Sequence, residues 1–183
     1  MKSNIIGISG LARCGKDSFF NIASNILEEE GIKTKRFAFA DCLKSECNEI
    51  LEKYTGISAF TENTSEKEII RPLLVTYGTH IRRKINPNCW IDKIDNEVKL
   101  FSTNGFSFIT DVRFENEIDW VKNIGGKSIH ITREGILPPN KEEAENDPIL
   151  SRKSDIKFSW KNFNEINDSI ISKTVKEVIQ SIL

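Results

Sequence analysis

The sequence contains only two histidines and four cysteines, and no two cysteines form a C-x-x-C pair. The histidines, His80 and His130, stand 50 positions apart in the chain. A structural zinc site needs such ligands at close spacing, so this pattern argues against one. The cysteines are therefore expected to be reduced thiols.

Long apolar runs and a basic excess are missing as well. The first apolar stretch, residues 5–8, is followed by Ser9 and Arg13 and is too short for a signal peptide or a membrane span. Lys and Arg number 26 against 27 Asp and Glu, whereas nucleic-acid surfaces normally carry a positive excess. We expect a cytoplasmic protein that binds neither nucleic acid nor membranes.

A chain of 183 residues, 38% of them hydrophobic, can bury one substantial core, which predicts a single domain over residues 1–183. Strand-like and helix-like patterns alternate along it, as in an α/β fold with a mainly parallel sheet. The predicted strands are residues 3–9, 33–40, 106–112, 127–132 and 163–166. The predicted helices are residues 16–30, 41–54, 72–84, 90–98 and 115–124, with a final helix ending at 183.

Three local features set predicted boundaries. Asp41 is expected to cap the second helix, because aspartate accepts bonds from the free amides of a first turn. Ser65 and Glu68 have the spacing of a capping box, but a proline disrupts a helix interior, so the main helix is expected to begin at Pro72. The polar residues 134–160 are interpreted as a mobile lid, with disorder as the alternative.

A glycine-punctuated loop follows the first predicted strand and has Gly-x4-Gly-Lys spacing up to Lys16. Glycines permit positive φ, so that successive amides point into one concavity, and the following helix adds the positive end of its dipole. The loop is expected to bind the phosphates of a nucleoside triphosphate; a glycine-rich turn with a solvated lysine is the alternative. The expected nucleotide-binding residues are Gly10, Arg13, Cys14, Gly15, Lys16, Asp17 and Ser18.

Carboxylates near this loop predict a magnesium site. Asp17 replaces the usual Ser or Thr after the lysine, and Ser18 follows it. Asp111 ends an apolar strand-like run, where open α/β sheets bind ligands and P-loop proteins place an acid on the water shell of Mg²⁺. We expect Asp17, Ser18 and Asp111 to hold Mg²⁺, with a helix N-cap as the alternative for Asp111.

Arginines recur at predicted strand ends and in the proposed lid. Guanidinium groups bind phosphate oxygens in bidentate fashion, so converging arginines suit two facing phosphate groups. The expected catalytic residues are Lys16, Arg113, Arg133 and Arg152. If the acceptor is a phosphate monoester, no histidine is needed, because its second pKa of about 6 leaves it already ionised at pH 7.

Several strings resemble the phage-type deoxynucleoside monophosphate kinases, and the likeness spans most of residues 5–133. They are the loop in its Gly-Lys-Asp form, Phe39-Ala40-Asp41-x-Leu43-Lys44, Arg71-Pro72-Leu73-Leu74 with Gly78-Thr79, Asn86-Pro87, Trp90-Ile91 and Thr110-Asp111-Val112-Arg113-Phe114-x-Asn116-Glu117. The His-x-Ser-Glu element that members often carry after the Arg133 strand is absent from this sequence.

The resemblance implies a three-layer P-loop kinase fold with a mainly parallel five-stranded sheet, helices on both faces and a lid. It implies transfer of the γ-phosphoryl of ATP, with Mg²⁺, to a deoxynucleoside monophosphate bound by a helical region at about residues 41–104. The implied acceptor residues are Asp41, Lys44, Arg71, Thr79 and Arg113. Arg82, which flanks the Pro72 helix, is also expected to bind the acceptor. One aromatic residue could stack on the acceptor base, with a place in the core as the alternative for each candidate: Phe39, Tyr77 and Trp90.

Two other functions stay open at this point. A dephospho-coenzyme A kinase or another small-metabolite kinase would keep the loop and change the acceptor. A GTP-dependent switch is less favoured, because the sequence has no Asn-Lys-x-Asp string for reading guanine. The accepted bases, the choice between deoxyribose and ribose, and the formation of a homodimer are not determined by these residues.

Overall fold

A computed structural model describes residues 4–160 and 168–182. Its five strands form one fully parallel sheet in the order β2-β3-β1-β4-β5. The strands are β1 Ile5–Ser9, β2 Lys33–Phe37, β3 Gly105–Val112, β4 Lys127–Arg133 and β5 Ile156–Trp160. The helices are α1 Lys16–Glu29, α2 Phe39–Thr55, α3 Thr64–Val75, α4 Arg83–Ile85, α5 Ile91–Phe101, α6 Glu115–Asn123, α7 Lys141–Lys153 and α8 Asp168–Ile182, with a π-helical turn Thr76–Arg82. The expected α/β fold with a five-stranded parallel sheet is confirmed.

Helices cover both faces of the sheet because alternate residues of a strand point to opposite sides. Ile6 and Ile8 of β1 are fully buried in a cluster with α1 and α8. Gly7, between them, faces α6, where a Cβ would lie 3.0 Å from the side chain of Val121. The carboxyl ends of β1, β3 and β4 therefore meet at one edge beneath the loop that leads into α1.

The chain forms two compact units. The first comprises Met1–Phe37 and Asn96–Leu183 and contains the whole sheet. The second, Ala38–Asp95, is helical and has its own small core. The buried members of that core are Cys47, Leu51, Ala59 and Ile70.

Two predicted helix starts are wrong. Helix α2 begins at Phe39, so Asp41 lies in its first turn and does not cap it; its amide donates to the carbonyl of Ala38 at 3.2 Å. Helix α3 begins at Thr64, and its cap is Asn63, whose side-chain oxygen accepts from the Ser65 amide at 3.0 Å. An Asn cap two residues upstream takes the place of the predicted capping box.

Pro72 does not begin a helix but lies inside α3. A proline lacks the amide that would bond to the carbonyl four residues earlier, which destabilises a helix interior. The helix continues past Pro72 to Val75 and then widens into the π-helical turn. Such turns occur where a helical ladder is disturbed, and they often mark functional positions.

The lid prediction for residues 134–160 is wrong for its last part. Residues Ile156–Trp160 form β5, which pairs with β4, and the side chains of Phe158 and Trp160 are buried in the sheet core. The predicted strand at residues 163–166 lies outside the described residues. Within the described ranges no helix is long and apolar enough to cross a bilayer.

Candidate functional site

The loop between β1 and α1 has a backbone conformation that requires glycine at two positions. Gly10 has φ of 134° and Gly15 has φ of 96°, and Arg13 between them is also left-handed at 66°. A Cβ on Gly10 would lie 2.2 Å from the carbonyl oxygen of Ile131. A Cβ on Gly15 would lie 2.6 Å from Nε1 of Trp160. No side chain caps α1, so its first turn presents backbone amides to this loop.

Lys16, the first residue of α1, is folded under the loop and is 8% exposed. Its Nζ donates to the carbonyl oxygens of Gly10 at 2.8 Å and Leu11 at 2.7 Å. Burial lowers the pKa of this ammonium, and the nearby positive charge of Arg113 lowers it further. The buried cation sits at the centre of the loop, which suits an anionic ligand.

Helix α7 supplies a carboxylate to the same loop. Glu143 Oε2 accepts from the amide of Ala12 at 2.9 Å, and Oε1 accepts from the guanidinium of Arg113. Arg113 is itself held by Glu117 at the start of α6. Fully buried Glu117 accepts from the Arg113 amide at 2.7 Å and from the Phe114 amide at 3.0 Å.

Beneath the loop, a buried polar chain joins β1 to α7. Ser9 Oγ lies 3.0 Å from Nδ1 of His130, whose Nε2 lies 3.7 Å from the carboxylate of Asp147. Ser9 and His130 are each 1% exposed. Burial lowers the pKa of His130 and raises that of Asp147. A neutral imidazole at this depth supports packing and hydrogen bonding under the loop, not proton transfer to a ligand.

The predicted magnesium residues lie at the start of α1 and near the end of β3. Asp17 and Ser18 are exposed in the first turn of α1, and Asp17 is 3.9 Å from Nε of Arg36. Asp111 is half-buried near the carboxyl end of β3. Its neighbour Thr110 has a buried hydroxyl without a hydrogen-bond partner in the part of the chain that is described.

This donor set fits Mg²⁺. Among the described residues no three acidic, histidine or cysteine side chains cluster as a metal cage. Magnesium usually keeps several waters and uses one or two carboxylates together with substrate phosphates. Asp17 and Asp111 are carboxylates of this kind, and their binding of Mg²⁺ stays a prediction.

The remaining predicted residues of the sheet unit are Cys14, Arg133 and Arg152. Cys14 is buried in the loop, and burial raises the pKa of its thiol, which disfavours the reactive thiolate. Arg133 is half-buried at the end of β4. Arg152 is exposed in the last turn of α7, nine residues and about half a helical circumference from Glu143. The catalytic roles of Arg133 and Arg152 stay predictions.

In the helical unit, Arg82 belongs to a charged cluster around Glu46. The Glu46 carboxylate accepts from Arg82 at 3.2 Å, from the hydroxyl of Tyr77 at 2.9 Å and from Nζ of Lys93 at 2.9 Å. The Arg82 guanidinium also lies 5.5 Å from the ring centroid of Trp90. Trp90 is 2% exposed and donates from Nε1 to the Gly78 carbonyl at 3.4 Å, so its ring supports Arg82.

The other predicted acceptor residues of this unit occupy varied positions. Phe39 is buried at the start of α2, and Asp41 and Lys44 are half-buried on the same helix. Arg71 is exposed on α3, and Thr79 is half-buried in the π-helical turn. Acceptor binding by these residues stays a prediction.

The profile of the deoxynucleotide monophosphate kinase family matches residues 45–156, more than half of the sequence. The chain belongs to this family. The match begins downstream of the phosphate loop, so family membership and loop geometry are separate observations. As a member, the protein is a nucleotide kinase.

A protein of Acanthamoeba polyphaga mimivirus, provisionally named a deoxynucleotide monophosphate kinase, is 27% identical over 187 residues, which cover 92% of this chain and 94% of the viral one. Shikimate kinase from Bacteroides thetaiotaomicron aligns with a TM-score of 0.44 at 12% identity, covering 97% of each chain. The APS kinase of Mycobacterium tuberculosis aligns with a TM-score of 0.42 at 12% identity, covering 98% of this chain and 96% of its own.

Sequence reasoning missed three residues of this family member that contact predicted site residues. Glu143 and Trp160 lie in the segment interpreted as a lid, where polarity hid a packed helix and a core strand. Glu46 belongs to no sequence motif. Neither its i, i+4 neighbour Ile50 nor the charged residues around it indicated an arginine partner. For Trp160, the alternation of apolar residues over Ile156–Trp160 was the available signal.

Proposed function

We propose that this kinase transfers the γ-phosphoryl group of ATP to a deoxynucleoside monophosphate, yielding the deoxynucleoside diphosphate and ADP. The observation that carries the proposal is the glycine-built loop with buried Lys16 in a chain of the deoxynucleotide monophosphate kinase family. The loop amides and the first turn of α1 would bind the β- and γ-phosphates. Lys16 would turn its Nζ from the loop carbonyls to the phosphate oxygens.

The transfer needs alignment and charge neutralisation more than proton transfer. An oxygen of the acceptor phosphate forms the new bond to the γ-phosphorus, and the bond to the β,γ-bridging oxygen breaks, with ADP as the leaving group. Because the acceptor phosphate is already ionised at pH 7, no general base is required. Arg113, positioned by Glu117, would stabilise the charge of the transferred group.

Asp17, Ser18 and Asp111 would hold Mg²⁺, which neutralises charge on the ATP phosphates when bound. Residues of the helical unit, with Arg71, Thr79 and Arg82 as the first candidates, would bind the acceptor. The proposal assigns the two substrates to the two units of the chain.

An acceptor panel tests this proposal. Purified protein is mixed with ATP and Mg²⁺ and with each of the four common deoxynucleoside monophosphates, the matching ribonucleotides, dephospho-coenzyme A and shikimate. ADP release is followed with a coupled assay. We expect turnover with at least one deoxynucleoside monophosphate, whereas activity confined to a non-nucleotide acceptor would overturn the proposal.

A further inference from the structure

Glu143 accepts hydrogen bonds from donors that would also suit a phosphate group. One carboxylate oxygen accepts from the loop amide of Ala12 and the other from the guanidinium of Arg113. The side chain is 13% exposed, so this is a largely buried anion and not a solvated surface charge. Backbone amides of a glycine loop together with a guanidinium are the donors that proteins use for phosphate oxygens.

We propose that Glu143 is a positioning residue that holds Arg113 at the loop and competes with a polyphosphate for the Ala12 amide and the Arg113 guanidinium. The inference rests on the proposed function, because it takes the loop to be the triphosphate site. When a polyphosphate binds, Glu143 leaves both donors, and Arg113 passes from the carboxylate to a phosphate oxygen. Phosphate binding and detachment of the first turns of α7 are then one coupled event.

The construction of α7 allows its two ends to behave differently. Pro148 lies inside the helix and lacks the amide that would bond to the Ala144 carbonyl, which weakens the ladder at its centre. After Pro148, Leu150 is buried, and Lys153 lies 2.6 Å from Asp119. The second half therefore stays anchored to α6 when the Glu143 end detaches.

Charge supports the exchange. Glu143 lies close enough to Lys16 to raise the pKa of its ammonium, in opposition to Arg113. Loss of the carboxylate removes the group that Arg113 bonds to and one of the negative charges that face Lys16. A polyphosphate supplies that charge, so the competitor and the ligand are interchangeable electrostatically.

Calorimetry with inorganic tripolyphosphate tests the competition in the full chain. The variants are Glu143→Gln, which keeps the shape and removes the charge, and Glu145→Gln, an exposed residue of the same helix paired with Lys141. We expect Glu143→Gln to bind tripolyphosphate about tenfold more tightly than wild type, because an internal competitor lowers apparent affinity. Glu145→Gln should stay within about twofold of wild type.

Equal or weaker binding by Glu143→Gln would overturn the inference, whatever the kinase activity of the protein. Tighter binding of tripolyphosphate by Glu143→Gln, with no phosphoryl transfer to any acceptor, would contradict the proposed function but support the competition. If neither wild type nor variant binds tripolyphosphate, the loop is not a phosphate site and both fail.

Hydrogen exchange on the wild-type protein gives a readout that needs no variant. Tripolyphosphate should increase amide exchange at residues 144–147 of α7 and leave residues 150–153 unchanged. Greater protection at residues 144–147 on binding would contradict the proposed detachment.

Discussion

The ammonium of Lys16 donates a 2.8 Å hydrogen bond to the carbonyl oxygen of Gly10, the residue that follows β1. The two residues delimit the Gly-x4-Gly-Lys spacing, so this bond closes the loop on itself. Gly10 cannot carry a side chain there, because its Cβ would meet the Ile131 carbonyl. The backbone conformation at Gly10 and the buried position of the Lys16 ammonium thus depend on each other.

Replacing Lys16 with alanine should reduce kcat/KM at least about a hundredfold, because a cation at the transferred phosphate contributes several kcal/mol in such sites. The melting temperature should change little, since the variant also removes a buried charge whose desolvation opposes folding. Steady-state kinetics with ATP and thermal unfolding measure the two effects. Lys33→Ala, at an exposed position that begins β2, is the control, and comparable activity in both variants would contradict the assigned role.

Gly10→Ala should destabilise the protein by more than about 3 kcal/mol, because a Cβ 2.2 Å from a backbone oxygen forces strand β4 to move. Gly31→Ala is a matched control: it also has positive φ, at 76°, but no atom lies within 4 Å of its added Cβ. We expect a loss of about 1 kcal/mol there from backbone strain alone. Urea unfolding of both variants measures the difference, and equal losses would show that the close approach at Gly10 is unimportant.

The pH dependence of stability should report the burial of His130. Burial lowers its pKa in the folded protein, and Lys157 and Lys16 act in the same direction, while Asp147 opposes them. The unfolded chain, with an ordinary pKa of about 6.5, then binds the proton first as pH falls. Stability from this group is therefore present above about pH 6.5 and is lost as pH falls below it.

The test compares wild type with His130→Asn, in which an amide stands near Ser9 Oγ in place of the imidazole. Between pH 7.5 and pH 5.5 the wild type should lose about 1 kcal/mol more unfolding free energy than the variant. Urea titrations at both pH values supply the numbers. Parallel losses in the two proteins would mean that His130 is not the group that titrates.

Pro72→Ala should stabilise the helical unit by about 1 kcal/mol, because alanine restores the amide that a proline lacks in a helix interior. The same change should raise the KM for the acceptor and leave the KM for ATP unchanged, since the π-helical turn with Thr79 and Arg82 begins four residues later. Glu68→Ala, exposed on the same helix, is the control. An unchanged acceptor KM would argue against a role of this turn in acceptor binding.

Strands β1 to β4 and the positive-φ glycines of the loop between β1 and α1 could be predicted because their signals are local. Continuous apolar runs such as the one in β3 are typical of buried parallel strands, and loop glycines at fixed spacing need no partner from elsewhere in the chain. The helix start predicted at Pro72 was wrong because packing of Ile70 and Leu74 in the small core keeps α3 helical through the proline.

Polar helices that pack through charges could not be predicted from periodicity. In α7 only Leu150 is buried. Glu143 and Lys153 bond to residues 12 and 119, and Asp147 lies 3.7 Å from His130. Hydrophobic spacing carries no information about such long-range polar partners, so residues 134–160 resembled a solvated segment.

Transfer of labelled phosphate tests the central claim most directly. ATP isotopically labelled at its γ-phosphate is incubated with Mg²⁺, each deoxynucleoside monophosphate and either wild-type protein or Lys16→Ala, and the products are separated and identified by mass. The account predicts that wild type moves the label into the β-position of a deoxynucleoside diphosphate and that the variant does not. Label found only in ATP or in free phosphate would contradict it.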